Sequence, residues 1–167
     1  GTIMSNLGFI HFCRDNGIHF EATKVGDRYV LEQMLLEGYN FGGEQSGHII
    51  FLDYATTGDG ELTAIQLLSI LKRRNARLSS LDTLMQRLPQ VMVNVTVSAE
   101  GKLRYYTDPE IRRAVHKAEQ ALGDNGRIIV RPSGTEPLIR VMTEGENYPM
   151  IDSIAHEVAD LIHEKLS

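Results

Sequence analysis

Two short stretches concentrate the residues able to do chemistry. One is Arg131-Pro132-Ser133-Gly134-Thr135-Glu136-Pro137, with Arg140 three positions beyond it. A guanidinium presents a planar fork of donors that matches a phosphate bidentately, and Arg140 offers a second fork. Ser133 and Thr135 add hydroxyls, and Ser133, Gly134 and Thr135 together can turn successive N–H groups toward one point. The chemistry implied is capture of an anion, with a phosphate monoester as the guest. A plain proline-rich hairpin whose arginines pair with surface carboxylates is the competing reading. The spacing is not that of a Walker loop, and no histidine or lysine lies close in sequence to make Ser133 a nucleophile, so its hydroxyl reads as a hydrogen-bond donor.

The other stretch is Gly42-Gly43-Glu44-Gln45-Ser46-Gly47-His48. Its glycines leave room for close approach of a ligand to the backbone. Glu44 and Ser46 suit neutral polar groups such as sugar hydroxyls, and His48 can give or take a proton near neutral pH. A glycine-rich turn with a surface histidine is the alternative. Two further gatherings carry less. Asp59 in Thr56-Thr57-Gly58-Asp59-Gly60 is a lone carboxylate in its turn and suits a helix N-cap better than a metal. His156 and His163, near Asp160, stand two helical turns apart, too far for a compact metal site. No metal ligand is expected.

Elements must position these groups. Gly126–Val130 and Leu138–Met142 read as strands, which makes the arginine-rich segment a tight loop stiffened by Pro132 and Pro137. Val91, Val93, Val95 and Val97 alternate with polar residues or Met92, the signature of a strand with one buried face. Asp108-Pro109-Glu110 opens a helix whose stripe is Ile111, Ala114, Val115, Ala118 and Leu122, closed by Gly123. Ile151, Ile154, Val158, Leu161 and Ile162 mark a last helix. Locally pairing strands with two helices indicate an α+β domain.

The first half reads differently. Ile3, Met4, Leu7, Ile10 and Cys13 recur at helical spacing before Gly17, and Ile18–Val25 reads as a strand. Gly26-Asp27 opens a helix that ends at Gly38. Ile49–Leu52 is a strand, and Glu61–Arg74 a helix apolar almost all round, expected to be buried on more than one side. Lys72, Arg73 and Arg74 suit its carboxyl end. This alternation indicates an α/β unit with a largely parallel sheet. Leu81, Leu84, Met85 and Leu88 before Pro89 form a short amphipathic run, so the expected division is 1–75, a linker 76–89, and 90–167.

Composition narrows the function classes. With 167 residues, 42% hydrophobic, and a formal charge of −5, the chain is an ordinary globular protein and not a general nucleic-acid binder. No apolar run approaches the ~20 residues that span a bilayer, and no signal-peptide pattern opens the sequence. Cys13 has no partner for a disulfide, so a reducing cytoplasm is expected. Pattern begins at once after Gly1-Thr2, as if upstream sequence had been cut away.

Taken in order, Thr2-Ile3-Met4-Ser5-Asn6-Leu7-Gly8, Lys24-Val25-Gly26-Asp27-Arg28-Tyr29-Val30, Gly43–His48, Thr56–Gly60 and Arg131–Pro137 resemble the carboxyl-terminal half of the α-D-phosphohexomutase superfamily, most closely its bacterial phosphoglucosamine mutases. The resemblance implies α/β plus α+β architecture. Most of a third domain, a mixed or parallel sheet with helices, precedes a fourth domain, a small four-stranded antiparallel sheet with two helices. It implies sugar binding by Glu44 and Ser46, with Lys24 and Arg28 on another substrate loop, and phosphate binding by Arg131, Ser133, Gly134, Thr135 and Arg140. His48 becomes a candidate proton shuttle, and Gln45 looks like the glucosamine-type enzymes.

The full-length enzyme implied is a cytoplasmic isomerase, a phosphoprotein of amino-sugar and peptidoglycan-precursor biosynthesis. It interconverts glucosamine 6-phosphate and glucosamine 1-phosphate through a bisphosphate that turns around. Its phosphoserine sits in a Ser-His-Asn-Pro setting and its Mg²⁺ in an aspartate-rich loop, and neither pattern occurs here. The chain alone is therefore expected to bind a phosphosugar without turning it over, to hold no cofactor, to bind neither nucleic acid nor membrane, and to self-associate through exposed apolar surface. A phosphomannomutase or phosphoglucomutase, or a non-catalytic phosphosugar-binding module, are the alternatives.

Overall fold

The computed structural model describes every residue, Gly1–Ser167. The chain divides into two compact units, Gly1–Arg87 and Leu88–Ser167.

In the first unit α1 (Leu7–Asp15) starts where the Asn6 side chain accepts the Gly8 N–H at 3.0 Å. Gly8 is obligatory there, because a Cβ would lie 1.8 Å from the Gln86 carbonyl oxygen. α2 (Asp27–Glu37) ends at Gly38, whose φ of 75° places it in the left-handed region that glycine enters freely. β1 (Phe41–Gly43) and β2 (Ile49–Phe51) form an antiparallel pair in the register Phe41↔Phe51 and Gly43↔Ile49. Val30 and Met34 of α2 pack with Ile50 as a small core. α3 (Gly60–Arg74) opens with Asp59 accepting the Leu62 N–H at 2.9 Å, the N-cap role read from sequence.

Two expectations fail in this unit. Ile18–Val25 is not a strand: only Thr23 bridges Thr2, in parallel, with its N–H on the Gly1 carbonyl and its own carbonyl taking the Ile3 N–H. A strand exists only where a partner completes its ladder, and residues 18–22 have none, so the one regular sheet is antiparallel. α3 buries only Leu71 and leaves Ile65, Leu67, Leu68 and Ile70 exposed. An all-round apolar helix needs neighbours on several sides, whereas in its unit α3 packs on β2. Leu35, Leu36 and Phe41 are exposed as well.

The second unit is an antiparallel sheet in the order β3 (Gln90–Thr96), β5 (Leu138–Gly145), β4 (Gly126–Pro132). It has three strands, not four, because residues between and after them form α4 (Ala99–Tyr105), α5 (Pro109–Leu122) and α6 (Tyr148–Leu166). α4 was not expected. Asp108 caps α5 through the Glu110 and Ile111 N–H groups. Val91, Val95, Ile128, Ile139 and Val141 meet Ile111, Ala118, Ile151, Ala155, Val158 and Ile162 in one core. Ile139 and Ile162 are wholly buried, each favouring the fold by about 1.5–3 kcal/mol. Since alternate residues point to opposite faces, burying Ile128, Ile139 and Val141 under the helices turns Arg127, Arg131, Arg140 and Glu144 to the other face. No helix is long and apolar enough to cross a membrane.

Candidate functional site

The β4–β5 register sets Arg131 directly opposite Arg140. Two like charges at that spacing repel. Burial, and then the Arg140 guanidinium beside it, pull the Arg131 pKa below its ordinary value. Arg131 makes no ion pair. Arg140 does: its Nη2 donates to Glu136 Oε2 in the turn, while its Nε is buried without a partner.

The turn between the strands is held from within. The Ser133 N–H donates to the Leu138 carbonyl at 2.9 Å, and Ser133 Oγ, nearly buried, accepts the Glu136 N–H at 3.1 Å. The Ser133 hydroxyl therefore accepts within the loop as well as having a proton to donate. Its N–H is not available to a ligand, which corrects the expectation of three convergent amides. The N–H groups of Gly134 and Thr135 donate to nothing in the protein, and nothing lies within 4 Å of where a Gly134 Cβ would stand. Two open amides in the turn between two facing arginines are donors of the kind that suit a tetrahedral dianion.

Sequence reasoning missed two residues here. Lys102 Nζ donates to the Ser133 carbonyl at 2.6 Å, and the Tyr105 hydroxyl donates to the Val130 carbonyl at 2.9 Å. Burial raises the Tyr105 pKa, so its donor proton stays in place. Both come from α4, which carries no apolar stripe; its local signal is Ser98, whose side chain caps the helix by accepting the Gly101 N–H at 3.0 Å.

In the first unit Gly43–His48 is the tight β1–β2 connection, closed by the Glu44 N–H on the His48 carbonyl at 2.9 Å and by Gly47 at φ 106°. The Glu44 carboxylate, 10% exposed, has Oε1 3.5 Å from His48 Nδ1. Its Oε2 accepts the Gly26 N–H at 3.2 Å, which ties it to the start of α2. Ser46 Oγ lies 3.3 Å from the same Nδ1 of His48. Glu44, Ser46 and His48 are thus brought together. Lys24 and Arg28 are not free beside them: Lys24 Nζ lies 5.9 Å from the Tyr29 ring centroid, and Arg28 Nε donates to Glu32 along α2 at 2.8 Å. A concavity of about 960 Å³ in this unit is walled by Phe9, Phe12, Met34 and Phe41, with Glu44 on its margin. Such apolar walls do not suit a phosphate.

Known proteins match both units. Residues 1–91 match the model described as phosphoglucomutase/phosphomannomutase, alpha/beta/alpha domain III, and residues 92–161 the model of the C-terminal domain of the same enzymes. The chain belongs to the phosphoglucomutase/phosphomannomutase family. Within that family it is 54% identical over 166 residues to the phosphoglucosamine mutase of Caldanaerobacter subterraneus subsp. tengcongensis, covering 99% of this chain and 37% of that protein. It is 55% identical over 165 residues to the phosphoglucosamine mutase of Clostridium botulinum, with 99% and 37% covered. The chain thus spans about 37% of the length of these curated relatives. A solved structure of Aspergillus fumigatus N-acetylphosphoglucosamine mutase superposes with a TM-score of 0.84 at 17% identity, over 98% of this chain and 38% of that one. Another of that enzyme, in complex with GlcNAc-6P and magnesium, gives 0.79 at 16% identity, over 99% and 38%. These superpositions establish the family's fold in this chain.

Proposed function

We propose that this chain is the ligand-holding part of a phosphoglucosamine mutase, a cytoplasmic phosphotransferase that isomerises glucosamine 6-phosphate and glucosamine 1-phosphate through a bisphosphate. The observation that carries the reading is the pairing of Arg131 with Arg140 on adjacent strands, next to the open amides of Gly134 and Thr135. A bisphosphate that reverses in its site needs one fixed place for whichever phosphate is not reacting, and donors held on paired strands and a closed turn supply it. Arg131, Ser133, Gly134, Thr135 and Arg140 take that spectator phosphate. Lys102 braces the turn beneath it.

Glu44 and Ser46 read sugar hydroxyls, Lys24 and Arg28 reach the substrate from another loop once released from Tyr29 and Glu32, and His48 relays a proton from the attacking hydroxyl. The names of the curated relatives support glucosamine as the sugar. The magnesium implied for the whole enzyme finds no donor set here, since no group of three or more His, Cys, Asp or Glu side chains converges. No step in this chain runs through that ion, and the chain alone binds without catalysing. Calorimetric titration with glucosamine 6-phosphate tests the assignment. Arg131→Ala should weaken binding far more than Glu44→Ala, because a guanidinium and a phosphate are both charged and meet through a bidentate fork, whereas in a carboxylate–hydroxyl contact only the acceptor is charged. Equal losses would refute it.

A further inference from the structure

The proposed anion site contains a group opposed to its own ligand. Glu136 stands in the β4–β5 turn with its side chain half exposed, and its Oε2 accepts from Arg140 Nη2. That contact engages one arm of the guanidinium. Arg140 Nε is the one buried side-chain nitrogen or oxygen without a hydrogen-bond partner. A buried donor left unmade is unfavourable, so this pose leaves the arginine incompletely satisfied. Across the strand pair Arg131 has no carboxylate of its own. Two guanidinium groups and one carboxylate share the site, and an incoming phosphate competes with Glu136 for Arg140.

We infer that Glu136 is an internal placeholder: its carboxylate occupies Arg140 in the resting site and must be exchanged for the ligand's phosphate. The inference rests on the phosphate reading above. The exchange needs only a side-chain rotation, because the Glu136 backbone is fixed by its N–H on Ser133 Oγ at 3.1 Å and its carbonyl under the Leu138 N–H at 2.9 Å. Two physical consequences follow. In the empty site the carboxylate relieves the repulsion between Arg131 and Arg140. In the loaded site it competes for the same donors, so the phosphate is held less tightly than two free arginines would hold it and stays exchangeable. A spectator phosphate that must leave when its sugar reverses is served by such a competitor.

The test is isothermal titration of the 167-residue chain with inorganic phosphate at low salt, comparing the native protein with Glu136→Gln, Arg140→Ala, the double variant and Arg131→Ala. Glu136 is half exposed, so the isosteric amide does not threaten folding. Glu136→Gln should bind phosphate roughly three- to tenfold more tightly, and that gain should vanish when Arg140 is alanine. Unchanged or weaker binding by Glu136→Gln overturns the inference, as does a gain of the same size without Arg140, which would mark a bulk charge effect. If Arg131→Ala leaves phosphate affinity unaltered, or the native chain takes up no phosphate, the phosphate reading falls and this inference with it. If Arg131→Ala weakens binding while Glu136→Gln does nothing, only the placeholder is lost.

Discussion

Replacing Arg127 with methionine should strip the Leu88–Ser167 unit of much of its stability while leaving the proposed phosphate-binding groups in place. Arg127 and Glu144 face each other across β4 and β5, at the opposite end of the face that carries Arg131 and Arg140. Four residues separate each from its site partner, about 13 Å at ~3.3 Å per residue. Glu144 is 0% exposed, with Oε2 2.7 Å from Arg127 Nε and Oε1 accepting from Gln90 Nε2 at 2.7 Å, so one carboxylate ties all three strands. Removing the guanidinium leaves a buried anion with a neutral donor alone, which costs about 3–5 kcal/mol. A unit of roughly 80 residues has about 4–12 kcal/mol in total, so the change consumes about a quarter or more of it. At about 4–8 °C per kcal/mol, the melting point should fall by at least roughly 12 °C.

Urea unfolding followed by circular dichroism, with amide hydrogen exchange read along residues 138–145, isolates this unit. The double variant Arg127→Met/Glu144→Met should recover part of the loss, because neither charge then lies buried alone. A single-variant loss below about 1 kcal/mol, or a double variant no better than the single, would refute the reasoning. Phosphate affinity of the folded Arg127→Met protein should stay within about twofold of native.

Two smaller perturbations separate the turn from its frame. Lys102→Met removes the charge-assisted bond to the Ser133 carbonyl and should lower phosphate affinity about tenfold by calorimetry, with no change in the fold. Asp108→Ala deletes the α5 cap and should cost about 1 kcal/mol at neutral pH in urea melts. Hydrogen bonds from the Ile111 and Glu110 N–H groups hold the Asp108 carboxyl below its usual pKa. Its contribution is therefore present above the unfolded-state pKa and lost as pH falls through the folded one, so native and variant stabilities should converge in acid and not in alkali.

The second unit's framework was legible because its signals are local. Asp108-Pro109-Glu110 specifies a helix start by itself, and the valine alternation at 91–97 specifies a strand face. α4 was illegible because its position is settled from outside: Gly101 lies where a Cβ would come 2.3 Å from the Leu166 carbonyl, a contact no local pattern encodes. Ile18–Val25 has strand-like residues, but a ladder depends on a partner. In α3 the extent of the helix was legible, and its burial was not, because that depends on the neighbours around it. At the 133–137 turn, residue types led to the expectation of an anion, but they did not disclose that the Ser133 amide is already paired or that Lys102 donates to the Ser133 carbonyl. Arg28 was read as a substrate residue, and the structure pairs it with Glu32 four positions on along the same helix.

The pairing of Arg131 with Arg140 has a bearing on how this loop can change. A strand reverses the face of every side chain when its pairing slips by one position. Shortening or lengthening the 133–137 connection by a single residue would send Arg140 toward the greasy side of the sheet and bring Ile139 or Val141 out in its stead. The turn is thus free to exchange letters at its tip, where Gly134 meets open solvent, yet is locked in length by the ladder on either side of it.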